Sequence, residues 1–96
     1  MKAFKKEPGN AWKRIEIPNT LEAMQKEVGG YIEVVQLTAD TAVVCDEEGR
    51  LHDKDYCWTI GRIDFVGTIL LVGTGEEDFK DVPDSATILT GPMERW

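Results

Sequence analysis

A chain of 96 residues, 42% apolar and 30% charged, suits one soluble domain spanning residues 1–96, with one modest core and no room for a second. Its net charge of −7, from 18 acidic against 11 basic residues, repels duplex nucleic acid overall. No apolar run approaches the ~20 residues that cross a bilayer, and the opening MKAFKKEPGN lacks an apolar h-region, so the expected location is the cytoplasm of whatever cell makes the protein.

Residues 2–6 read as a first strand. Glu7-Pro8-Gly9-Asn10 reads as a turn, because Pro fixes φ and Gly and Asn tolerate positive φ. Residues 12–17 (WKRIEI) alternate imperfectly, as an edge strand does, and complete an N-terminal hairpin. Asn19 then offers an N-cap, with Glu22 placed to reach back to it. Leu21, Met24 and Val28 form one apolar stripe of a short helix that Gly29-Gly30 ends. So short a helix needs tertiary packing to persist.

Residues 31–37 alternate, with Ile32 and Val34 on one side and Tyr31, Glu33, Val35 and Leu37 on the other. Thr38-Ala39-Asp40 turns the chain into a second strand at residues 41–46. Asp46-Glu47-Glu48-Gly49 is another turn, after which Arg50 and Leu51 begin a short return strand. Residues 52–63 (HDKDYCWTIGRI) show neither period and read as a long loop. Residues 64–72 (DFVGTILLV) are the most apolar segment and are predicted to be the central strand, with Gly67 marking a bulge or a close approach. Phe79 and Val82 pack back across an acidic turn. Pro83-Asp84 opens a short C-terminal helix, which Gly91-Pro92 breaks before Met93 and Trp96. The expected architecture is α+β: a mainly antiparallel sheet of about five strands, one short helix packed on it, and an irregular C-terminal tail.

The sequence holds no GxSxG, P-loop or HExxH pattern, and a single histidine, His52, in a loop. Cys45 and Cys57 lack the CxxC spacing of structural zinc, so no metal and no cofactor are expected. The first fourteen residues are basic, through Lys2, Lys5, Lys6, Lys13 and Arg14, while acid gathers in later loops. Tyr56 and Trp58 flank Cys57 in a polar segment with Arg50 and Arg62 near in sequence. Aromatic faces and guanidinium groups together can stack a base and hold a phosphate; alternatively Trp58 plugs the edge of the core. Tyr31 and Glu33 share a strand face just after a double glycine, which either opens a pocket or only stops the helix.

TLEAMQKEVGGYIEVVQL, followed by CDEEG and VGTILLVG, resembles a small-domain family common in bacterial phages and plasmids, domain of unknown function three-eight-four-six. The resemblance covers roughly residues 1–79. It implies a mobile-element accessory protein and carries over no catalytic residues. The family's loop usually runs on from the DEEG turn through a Leu/Pro/Asn-rich stretch, where this chain has HDKDYCWTIG.

The expectation is a non-enzymatic protein that sequesters a nucleotide-derived signal of bacterial defence. Its expected site is Tyr31, Glu33, Arg50, Tyr56, Trp58 and Arg62, in a homo-oligomer. The competing expectation, which the acidic balance favours, is an inhibitor that occupies a host nuclease or another defence protein.

Overall fold

A computed structural model describes residues 1–93; Trp96 lies outside the described residues. The chain order is β1 (Lys2–Lys6), β2 (Lys13–Glu16), α1 (Leu21–Val28), β3 (Ile32–Gln36), β4 (Thr41–Asp46), β5 (Tyr56–Ile60), β6 (Ile63–Val66), β7 (Ile69–Thr74), β8 (Phe79–Lys80), a 3-10 turn (Asp84–Ala86) and α2 (Thr87–Thr90). The fold is α+β. Its main sheet runs β2-β1-β7-β4-β3, with β8 pairing the end of β7, and every pairing is antiparallel. β5 and β6 form a separate hairpin.

The main sheet is covered on both faces. Ala42, Val44, Leu70 and Val72 pack with Ala3, Ile17 and the α1 residues Met24 and Val28. Val43, Cys45, Ile69 and Leu71 point the other way and pack with Phe4, Trp12, Val82, Ala86 and the hairpin residues Cys57 and Phe65. Strands β4 and β7 are therefore buried along almost their whole length. This explains why they read as continuous apolar runs instead of alternating ones.

The N-terminal hairpin, the helix, the β3–β4 hairpin and the edge position of β2 match the sequence expectation. Four details differ. Thr20, not Asn19, caps α1: its hydroxyl accepts the Ala23 amide at 3.1 Å, while Asn19 donates its side-chain amide to the Phe79 carbonyl at 2.8 Å. That shift of one residue puts Glu22 too early in the first turn to close a capping box.

The long apolar segment is two strands, not one. Gly67 adopts φ +71°, a left-handed conformation that ends β6 before β7 begins. β7 is the central strand, with β1 on one side and β4 on the other. The segment expected as a loop contains β5. Its period is hidden by an irregular register between Tyr56 and Trp58, so that Cys57 and Trp58 together face Phe65. Both turn inward, and Tyr56 and Thr59 turn outward. Finally, Arg50 and Leu51 lie in turns rather than a return strand.

Candidate functional site

Strand β4 ends at Asp46, whose side chain is only 1% exposed. A buried carboxylate must be fully hydrogen-bonded or it destabilises the fold. Asp46 meets that demand locally and at long range. The Glu48 amide donates to it at 2.9 Å across the turn that Gly49 closes. Lys54 Nζ lies 2.6 Å from Oδ2, and His52 Nδ1 lies 3.0 Å from the same oxygen. Lys54 also donates to the Val28 carbonyl at 2.8 Å, which satisfies the end of α1.

Burial alone would raise the Asp46 pKa. The Lys54 hydrogen bond, the Glu48 amide, His52 and the Lys54 charge outweigh it, and the carboxyl is lowered to about 2. It is an anion under any physiological condition.

Glycines make room for this knot. A Cβ on Gly30 would stand 2.8 Å from the Asp46 carboxylate, and one on Gly67 would stand 2.6 Å from Lys54 Cδ. Gly29 caps α1 with φ +76° and donates its N–H to the Gln25 carbonyl. The three sequence fragments VGG, CDEEG and VG thus meet at one ion pair.

Beside the knot opens a recess of about 460 Å³, lined by Gln25, Lys26, Gly30, Tyr31, Asp46, Glu48 and His52. Tyr31 stands at it 71% exposed. Gln25 and Lys26 come from the last turn of α1, where a cation also suits the negative helix end. His52 bridges two carboxylates, with Nε2 3.4 Å from Glu48 Oε2. A smaller recess of about 200 Å³ lies next to it and contains Glu33, Cys45, Glu47, Arg50, Leu51 and Val66, with Asp46 and Glu48 belonging to both.

The six residues singled out in the sequence do not share one recess. Tyr31 borders the larger cavity and Glu33 and Arg50 the smaller. Trp58 packs inward: its ring meets Trp12 edge-on at 6.1 Å, Nε1 donates to the Leu89 carbonyl at 3.0 Å, and Lys6 Nζ lies 5.4 Å above it. Its polar handle is bonded and its ring meets Trp12 and Lys6, so Trp58 is partly buried against the core and is not an open stacking platform. Tyr56 lies on the outer side of the hairpin, joined through Thr59 to Asp64, whose backbone carbonyl accepts from Arg50 at 2.8 Å. Arg62 is exposed at the hairpin tip.

The basic N-terminal segment is largely engaged within the fold. Lys5 pairs with Glu27, Lys13 with Glu7, Lys6 with Trp58, and Arg14 lies over Phe4 and 3.8 Å from Asp84.

Asp46, His52 and Lys54 were not legible as a unit, because strand β4 and a loop bring them together and no spacing rule encodes that. The available signal was indirect: acid, histidine and lysine crowded between Asp46 and Lys54, with glycines at both flanks of the resembling motif. Both thiols are shifted away from the thiolate form. Burial, followed by the charges of Glu33 and Asp46, pushes Cys45 up to about 11, and burial pushes Cys57 up as well. No cluster of potential metal ligands occurs among the described residues, and no helix there is long and apolar enough to cross a membrane.

Fold and site together define a small α+β domain with a polar, aromatic-edged recess built over a buried ion pair. The chain belongs to the family described as Domain of unknown function (DUF3846), whose model matches residues 1–91. That span takes in every residue of the knot. No curated protein and no solved structure matches the chain.

Proposed function

We propose that this protein is a non-enzymatic binding module that sequesters a nucleotide-derived small molecule, with the Tyr31 recess as its site. The observation that carries the reading is an exposed tyrosine ring at the mouth of a cavity of about 460 Å³ whose rim holds an amide, an ammonium and an imidazole. The ring stacks on a base. Lys26 meets a phosphate, and Gln25 and Glu48 take polar groups of base or ribose. The same geometry supports binding without turnover. Both nitrogens of His52 face carboxylates, and the two thiols are held protonated.

The resemblance to phage and plasmid domains supplies the context: a mobile-element protein that removes a defence signal inside a bacterium. A homo-oligomer is part of the proposal, since an aromatic as exposed as Tyr31 needs a second surface to leave water. Extracts of defence-active cells provide the test. The protein should deplete a signal that heating then returns unchanged; a chemically altered product would replace this reading with an enzymatic one.

A second reading rests on Leu51, an 82% exposed leucine on a loop that also carries the exposed acids Glu47, Glu48, Asp53 and Asp55. An apolar anchor ringed by negative charge fits a basic protein surface, such as that of a nuclease. Leu51→Asp would abolish that inhibition and leave small-molecule retention intact.

A further inference from the structure

Strands β2 and β3 end the path of the main sheet, and the two edges differ. β2 reads KRIE and is followed by Pro18, the charged and proline-flanked pattern that discourages pairing. β3 reads IEVVQ. It carries one charge, no proline and an unbroken register with β4. Among the described residues, no strand pairs with its outer side.

The direction of its free groups follows from the ladder. Leu37 N–H donates to the Thr41 carbonyl, and Glu47 N–H donates to the Tyr31 carbonyl. Bonded and non-bonded pairs alternate in an antiparallel ladder. With Glu33 opposite Cys45 and Val35 opposite Val43, residues 31, 33, 35 and 37 therefore direct their backbone groups to β4. Ile32, Val34 and Gln36 direct theirs outward.

We propose that the outer edge of β3 pairs antiparallel with the same edge of a second copy, about a two-fold axis at Val34. Three reasons select a second copy as the occupant. In this register Val34 meets Val34, and Ile32 meets Gln36 twice, so each outward N–H finds an outward C=O. The half-exposed Val34 side chains cover each other. Each Glu33 falls opposite Val35 of the second copy, so the two carboxylates do not face one another. The arrangement is isologous and closes on itself. It also sets Tyr31 opposite Leu37 of the second copy at the end of the ladder. A five-residue edge is a small contact, so the dimer is concentration-dependent.

Light scattering on the full chain, with protein raised from about 1 to about 500 μM, reads the assembly directly. The mass should rise from 10.8 kDa towards twice that value. Val34→Lys sets two ammonium groups against each other, and Val34→Pro removes an outward N–H that β4 does not use. Each should raise the dissociation constant at least about tenfold, a 1.4 kcal/mol effect.

Hydrogen exchange supplies a readout that does not depend on the variants folding equally well. In concentrated wild type the amides of Ile32, Val34 and Gln36 should be protected; in Val34→Lys they should exchange freely while Glu33 and Val35 stay protected. A chain that remains monomeric at every concentration overturns the proposal and leaves the edge to a strand of another protein. A dimer that survives Val34→Lys with those three amides exchanging freely overturns it too.

Discussion

Lys54 Nζ lies 2.6 Å from Asp46 Oδ2 and 2.8 Å from the Val28 carbonyl, so one ammonium ties the end of β4 to the end of α1. The same lysine fills the space over Gly67, where β6 gives way to β7. Helix, sheet and hairpin thus share one ionic joint, and the proposed binding recess is its open side.

Removing the ammonium should be costly. Lys54→Met keeps most of the stem but leaves Asp46 buried with only His52 and a backbone amide. Loss of one partner from a buried pair destabilises by about 3–5 kcal/mol. In a domain of this size a loss of that order lowers Tm by more than about 10 °C. Thermal unfolding followed by circular dichroism measures it; a shift under about 2 °C would show that the joint contributes little.

The glycines around the joint should be intolerant for a steric reason. Gly67→Ala places a Cβ 2.6 Å from Lys54 Cδ at a residue with φ +71°, and a loss of about 1–3 kcal/mol is expected. Part of that loss is the clash and part is the backbone. In a Lys54→Ala background only the backbone part should remain, so urea titrations of the double-mutant cycle should show coupling of about 1 kcal/mol or more. Strict additivity would remove Lys54 from the account of this position.

Acid should weaken the joint within a defined window. The folded Asp46 carboxyl titrates near 2, below an unfolded value of about 3.9. Its stabilising contribution is therefore complete above about pH 5 and is lost as pH falls through the interval from about 4 to about 2. The stability gap between wild type and Asp46→Asn, read from urea midpoints, should narrow over that interval. A gap that is the same at pH 6 and pH 2.5 would contradict the shifted carboxyl.

Trp58 and Tyr56 should separate cleanly in mutagenesis. Trp58→Ala empties space between Trp12 and Leu89 and should cost about 3–5 kcal/mol. Tyr56→Ala removes an exposed ring and one hydroxyl contact and should stay within about 1 kcal/mol. Neither should remove ligand from the Tyr31 recess at temperatures where the domain stays folded.

Much of this architecture was written locally. The stripe of Met24 and Val28, the left-handed stop at Gly29 and the turn at residues 38–40 depend on near neighbours, and they appear where the sequence puts them. The misreadings have separate causes. β5 was hidden because a bulge at Cys57 and Trp58 destroys its period, and β6–β7 looked like one strand because both halves are apolar. The site was harder. That Tyr31 borders a recess could be expected from the double glycine before it. Trp58 could not be assigned, because a tryptophan in a polar stretch looks the same whether its ring meets solvent or Trp12. The Asp46–Lys54 pair depends on residues 28, 46, 54 and 67 meeting in space, which only the completed topology reveals.

The most direct measurement is native mass spectrometry of wild type and Tyr31→Ala, each purified from bacteria in which nucleotide-based defence signalling is active. The account predicts a small nucleotide-derived mass retained by the wild type and missing from the variant, with both proteins folded. A wild type that carries nothing, or a variant that retains the same mass, would contradict it.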